Sequence, residues 1–175
     1  MRKIGIIAVL SLLVTAFAAV PVLAQTVGPV EPTSITQDGG LHFCQGTTPT
    51  VTATKEGQTA FLTSNFEVCG AGSTATATLS ADAVATAGCI TKGGGEPRGL
   101  QTTVTPVVGS GTFETRAGRS GPQSVQTTAV TIPSTFECPS ANQQEVLVSV
   151  LFTDVTLTVT SQTGTTTAFF GDIDP

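Results

Sequence analysis

The chain has no tryptophan, no tyrosine, one histidine and one methionine in 175 residues, and only 11% of it is charged. Each shortage excludes something. One histidine, with no C-x-x-C among four cysteines, removes the ligand spacing of zinc sites. Histidine-based acid–base or triad chemistry could be built only on His42, and it would need a partner within hydrogen-bond reach. Neither G-x-S-x-G nor S-x-x-K occurs. The missing Trp and Tyr are the rings that carbohydrate-binding β-sandwiches commonly present to sugars. Seven Lys and Arg, unclustered, disfavour nucleic acid and anionic membrane surfaces. No apolar run after residue 24 is long enough to span a bilayer. The final Asp172-Ile173-Asp174-Pro175 is polar, so no hydrophobic sorting tail is expected.

The first 24 residues read as a secretory signal peptide. Arg2 and Lys3 precede an apolar run from Ile4 to Ala19, and Val22-Leu23-Ala24 supplies the small-residue end of a cleavage site before Gln25. Gln25 stands where a bacterial lipoprotein would carry Cys, so a freely exported protein, extracellular or periplasmic, is expected. Without Arg2 and Lys3, five basic residues face twelve acidic ones, a net charge of −7 that promotes solubility.

All four cysteines, Cys44, Cys69, Cys89 and Cys138, lie after the cut, and an even count in an exported chain reads as two disulfides. Of three connectivities, Cys44–Cys69 with Cys89–Cys138 is preferred, because each partner then sits at a strand end or an adjoining turn. Loops of that size contribute roughly 3–4 kcal/mol each on the chain-entropy estimate.

The 151 residues from Gln25 onward suit one domain. Thirty-two of them are threonine, a β-branched residue suited to strands. The clearest pattern runs from Thr74 to Cys89: odd positions are Ala, Leu or Cys, and even positions are Thr, Ser, Asp or Gly apart from Val84. Such period-two alternation is a strand, too long for one without a turn or bulge near Ser80–Asp82. Its alanine face implies close packing or a partly exposed sheet. Residues 25–40 read as a loose arm or an edge strand, and 41–175 as the folded domain. Thr50–Thr54 and Thr59–Val68 are strands around a turn at Lys55–Gln58. Thr102–Val108 and Thr112–Arg116 flank Gly109-Ser110-Gly111 like a hairpin. Ser124–Ile132 is a strand stopped by Pro133. Glu145–Phe152 is apolar on both faces, hence central, and Val155–Val159 and Thr165–Phe170 follow. Roughly nine turn-punctuated strands predict an all-β, immunoglobulin-like antiparallel sandwich.

The remaining candidates are thin. Asp172, Asp174 and Asp154 are too few for calcium, which takes six to eight oxygens. Gly93-Gly94-Gly95 with Lys92 and Arg98 could form an anion nest, but the strand-to-helix context of a phosphate loop is missing. Phe169-Phe170 point to opposite faces of a strand, so one of them is a candidate contact. No cofactor is implied.

Cys89 followed by Gly93-Gly94-Gly95-Glu96-Pro97, then Cys138-Pro139, then the closing run Val150 to Val159, resembles small exported bacterial immunoglobulin-like β-sandwich proteins of uncharacterised function. The resemblance covers the C-terminal half. It implies a Cys89–Cys138 pair and an immunoglobulin-like sheet pair, and no activity; Cys44 and Cys69 lie outside it.

The expected function is therefore non-enzymatic: an exported binding or structural protein meeting a cell-wall or extracellular protein or glycan through sheet edges or the loops 91–99 and 117–122. The alternative is a secreted protease inhibitor using loop 91–99, distinguished by stoichiometric inhibition. A hydrolase dependent on His42 is a third reading.

Overall fold

The computed structural model describes residues 24–175, so the signal-peptide reading of the preceding residues lies outside the described part. Described residues form twelve strands and no helix. The first half carries β1 (Gln25–Val30), β2 (Ser34–Gly39), β3 (His42–Phe43), β4 (Thr50–Glu56), β5 (Thr59–Phe66) and β6 (Val68–Cys69). After these come β7 (Thr74–Thr91), β8 (Arg98–Glu114), β9 (Gln123–Gln126), β10 (Val130–Thr131), β11 (Gln143–Ser161) and β12 (Gly164–Ile173). The nine strands expected from the sequence become twelve partly because several of them are two-residue pieces that tie loops to sheets.

One antiparallel sheet has the order β1-β4-β5, with β9 and β10 sharing the far side of β5. The other has the order β2-β12-β11-β7-β8 and is far longer, because β7, β8 and β11 run for 18, 17 and 19 residues. A small ribbon pairs β3 with β6. Residues 25–40 are therefore not a loose arm. They supply one edge strand to each large sheet, β1 against β4 and β2 against β12.

The period-two pattern decides which faces meet. Val51, Ala53, Leu62 and Phe66 of the shorter sheet are buried with Ala75, Ala77, Leu79, Leu157, Val159 and Phe170 of the longer one in a single cluster. The alanine face of β7 is thus core, not half-open sheet: Ala75 to Ala87 are at most 7% exposed. Small side chains on β7 leave room for Leu62 and Phe66 of the opposite sheet and for Phe152 beside Ala83 on β11, the large-against-small interdigitation that close packing requires. Ser64 is also fully buried there, and its hydroxyl donates to the Thr50 carbonyl at 3.0 Å.

Three expectations change. β7 is unbroken, and the irregularity expected near Ser80–Asp82 sits in its partner: β11 inserts Asp154, with φ 55°, between the pairs Thr153–Asp82 and Thr156–Ser80. The bulge lets Glu145–Phe152 and Val155–Val159 be one strand. β8 is also one strand, where Gly109-Ser110-Gly111 had suggested a hairpin. The glycine is there for another reason: a Cβ on Gly109 would stand 1.8 Å from the Gln126 carbonyl oxygen. At this point β8 meets the end of β9, and the Thr128 amide donates to the Val108 carbonyl at 3.1 Å, stitching one sheet to the other. Lastly, Ser124–Ile132 splits into β9 and β10, because Thr127 turns aside, its hydroxyl accepting from the Leu62 amide at 3.1 Å.

Candidate functional site

Cys44 is joined to Cys69 and Cys89 to Cys138, and no described cysteine is free. The first bridge fixes the β3/β6 ribbon. The second ties the far end of β7 to the segment between β10 and β11, where Phe136 packs on Ala87 and Cys89 in a small cluster separate from the main core. Two disulfides in one chain accord with an oxidising compartment.

Beside the second bridge lies a cleft of about 270 Å³, lined among others by Arg98, Gln101, Phe136, Glu137 and Gln143. Its volume falls a little below the usual range for small-molecule sites. Arg98 reaches it because a bulge in the β7–β8 register places that residue opposite Cys89.

The triglycine loop is an ordered turn. The Gly94 amide donates to the Thr91 carbonyl at 2.8 Å, the Thr91 hydroxyl bonds back to the Gly94 carbonyl, and the Lys92 amide donates to Asn142 at 2.9 Å. The Gly94 and Lys92 amides are thus turned to Thr91 and Asn142 and not towards an anion. The loop 117–122 is likewise bound down. Ser120 exchanges bonds with Val68 through its amide and its hydroxyl, both at 3.0 Å, and Arg119 pairs with Glu67 at 3.0 Å.

His42 sits half-buried in β3, and its Nδ1 donates to the Gly40 carbonyl at 2.9 Å. A carbonyl can only accept, so this bond fixes the tautomer with the proton on Nδ1. No serine hydroxyl bonds the ring among the described residues. Asp154 lies in the β11 bulge, bordering with Asp82 a shallow recess that also touches Pro106 and Val108. Asp172 and Asp174 are exposed near the C-terminus. Among the described residues, no three His, Cys, Asp or Glu side chains come together as a metal ion would need. Phe170 is buried and Phe169 is 39% exposed.

The outer face of the long sheet is assembled from five strands whose register no single segment of the chain reveals. At one end it is apolar. Leu100 and Val104 are 58% and 64% exposed, and Val108 and Val148 are also exposed. On the same face Val84 is paired with Val104 on one side and Leu151 on the other, and the row of Thr102, Thr86 and Ser149 separates these from Leu100 and Val148. Leu100 and Val148 close over Gly88, where an added Cβ would lie 2.9 and 3.2 Å from their methyl groups. At the other end the same face is covered with hydroxyls. The one local cue was the run of threonines at even positions of β7.

Comparison of the chain with protein-family models, with curated proteins and with solved structures returned no match.

Proposed function

We propose that this is an exported, non-enzymatic binding or structural protein of the cell envelope or extracellular space, built on an immunoglobulin-like frame. The outer apolar end of the long sheet is its contact surface. The observation that carries the reading is the exposure of Leu100, Val104 and Val148 at that end of the face, with Val84 and Leu151 in register beside Val104. Scattered apolar residues are ordinary on a protein surface, but several large ones gathered at one end of one sheet face, on both sides of the Thr102, Thr86 and Ser149 row, favour an interaction site. The two loops expected from sequence to make contacts serve differently in this reading. Loop 117–122 is tied into the fold, whereas 92–97 is exposed next to the patch and extends it.

Two disulfides support export, since such bonds persist in oxidising compartments. The test is co-sedimentation of the disulfide-bonded protein with purified cell walls and with insoluble polysaccharides. It is repeated with a variant carrying Leu100→Ser and Val104→Ser. Saturable retention that the double substitution abolishes is expected. Retention unaffected by it would move the contact surface elsewhere, and stoichiometric inhibition of a secreted protease would replace the reading.

A further inference from the structure

The hydroxyl end of the long sheet is a two-dimensional array. The register aligns Asp38, Thr165, Thr160, Thr76 and Thr112 in one row across β2, β12, β11, β7 and β8. The next row is Thr36, Thr167, Thr158, Thr78 and Ser110. Hydroxyls bond laterally within the rows, Thr76 to Thr112 at 3.0 Å and Thr158 to Thr167 at 3.3 Å, and the remaining lone pairs and protons face outward. All of these side chains are exposed or half-buried.

Neighbouring strands lie about 4.8 Å apart, and alternate residues along a strand about 6.6–6.8 Å apart, so the side chains form a grid. The twist between adjacent strands, about 20–25°, confines near-planarity to the central three. On β12, β11 and β7 both rows are pure threonine: Thr165, Thr160 and Thr76, then Thr167, Thr158 and Thr78. Threonine is stiff at χ1, so the grid is held before anything binds. Its only charge is Asp38 at the rim, and its one neighbouring aromatic ring is Phe169, 39% exposed in the row beside Thr167.

A rigid, uncharged grid of alternating hydroxyls and methyls suits a partner that is itself a lattice of hydrogen-bonding oxygens with repeats of a few ångströms. We infer that this face binds ice. The hydroxyls join the outermost ordered waters, and the methyls lie over the gaps between them. The inference is independent of the envelope-binding reading, whose residues Leu100, Val104 and Val148 lie further along the sheet, with Val108 alone next to the grid at Ser110.

The test is slow freezing of a dilute solution, measuring protein in the ice and in the remaining liquid, together with ice-recrystallisation microscopy. The protein is expected to enter the ice fraction and to hold crystals small. Thr158→Lys, which places a hydrated charge at the grid's centre, is expected to lose both effects while retaining its circular dichroism. Thr160→Lys at a more exposed position is a second variant should the first not fold. The double substitution Leu100→Ser, Val104→Ser is expected to change neither. Exclusion of the native protein from ice, equal partition of folded Lys variants, or binding to crystalline cellulose or chitin in place of ice would each overturn the inference.

Discussion

The long sheet has two ends that solve the same problem with different means. Around Leu79 and Leu157 its inner face is covered by a second sheet, and the two share a broad core. Around Ala87 and Cys89 the cover is the segment between β10 and β11, where Phe136 and Ile132 pack on them and a disulfide holds the cover in place. Where there is a whole sheet to bury against, apolar area suffices. Where there is only a strap, a covalent tie replaces the missing area, as it does in domains too small for a core of their own. The outer face divides in the same way, into threonine rows at the well-covered end and an apolar patch towards the strapped one.

The contrast can be broken most forcefully from the core side. Phe152 is fully buried in the main cluster, and Phe152→Ala is expected to cost about 3–5 kcal/mol in denaturant unfolding. Replacing Cys89 and Cys138 together by Ala is expected to remove roughly 3–4 kcal/mol, with a localised signature. Hydrogen exchange should accelerate over 87–101 and 132–147, and 75–81 and 155–168 should stay protected. Uniform loss of protection would mean that the two ends are one cooperative unit. Thr127→Val removes the hydroxyl that satisfies the buried Leu62 amide at the seam between sheets, and a loss of about 1–3 kcal/mol is expected by thermal unfolding. The outer face should matter least to folding: Leu100→Thr and Val104→Thr are each expected to shift stability by less than about 0.5 kcal/mol, and both should reduce binding of a hydrophobic dye.

How much of this could be read from the chain varies from segment to segment. The alternation from Thr74 to Cys89 gave both the strand and its buried face, since period two has one physical cause. It left open whether that alanine face is closely packed or partly exposed, because full burial depends on a second sheet that includes residues 50–66. Gly109-Ser110-Gly111 misled for a similar reason. Glycine marks a turn or a close backbone approach, and only the position of Gln126 distinguishes the two. The length of the Thr74–Cys89 pattern points to a turn or bulge near Ser80–Asp82, and the bulge lies across from that point, in β11 at Asp154. Among candidate site residues, His42, the triglycine loop and the C-terminal aspartates come together in no shared site. The two surfaces that carry the functional readings exist only through cross-strand register, which local sequence does not contain.

Consider last the stitch between Gly109 and Gln126. A pair of open sheets exposes rows of unpaired amides and carbonyls at its margins, and such margins recruit further chains into ribbons. Here one margin is partly sealed where β8 is bonded to the segment after β9, and Pro106 withholds a donor nearby. At the opposite margin, Pro29 withholds another within β1, and Pro32 does so just ahead of β2. A protein with few charges to repel its neighbours thereby offers fewer free donors through which a second copy could extend its sheets.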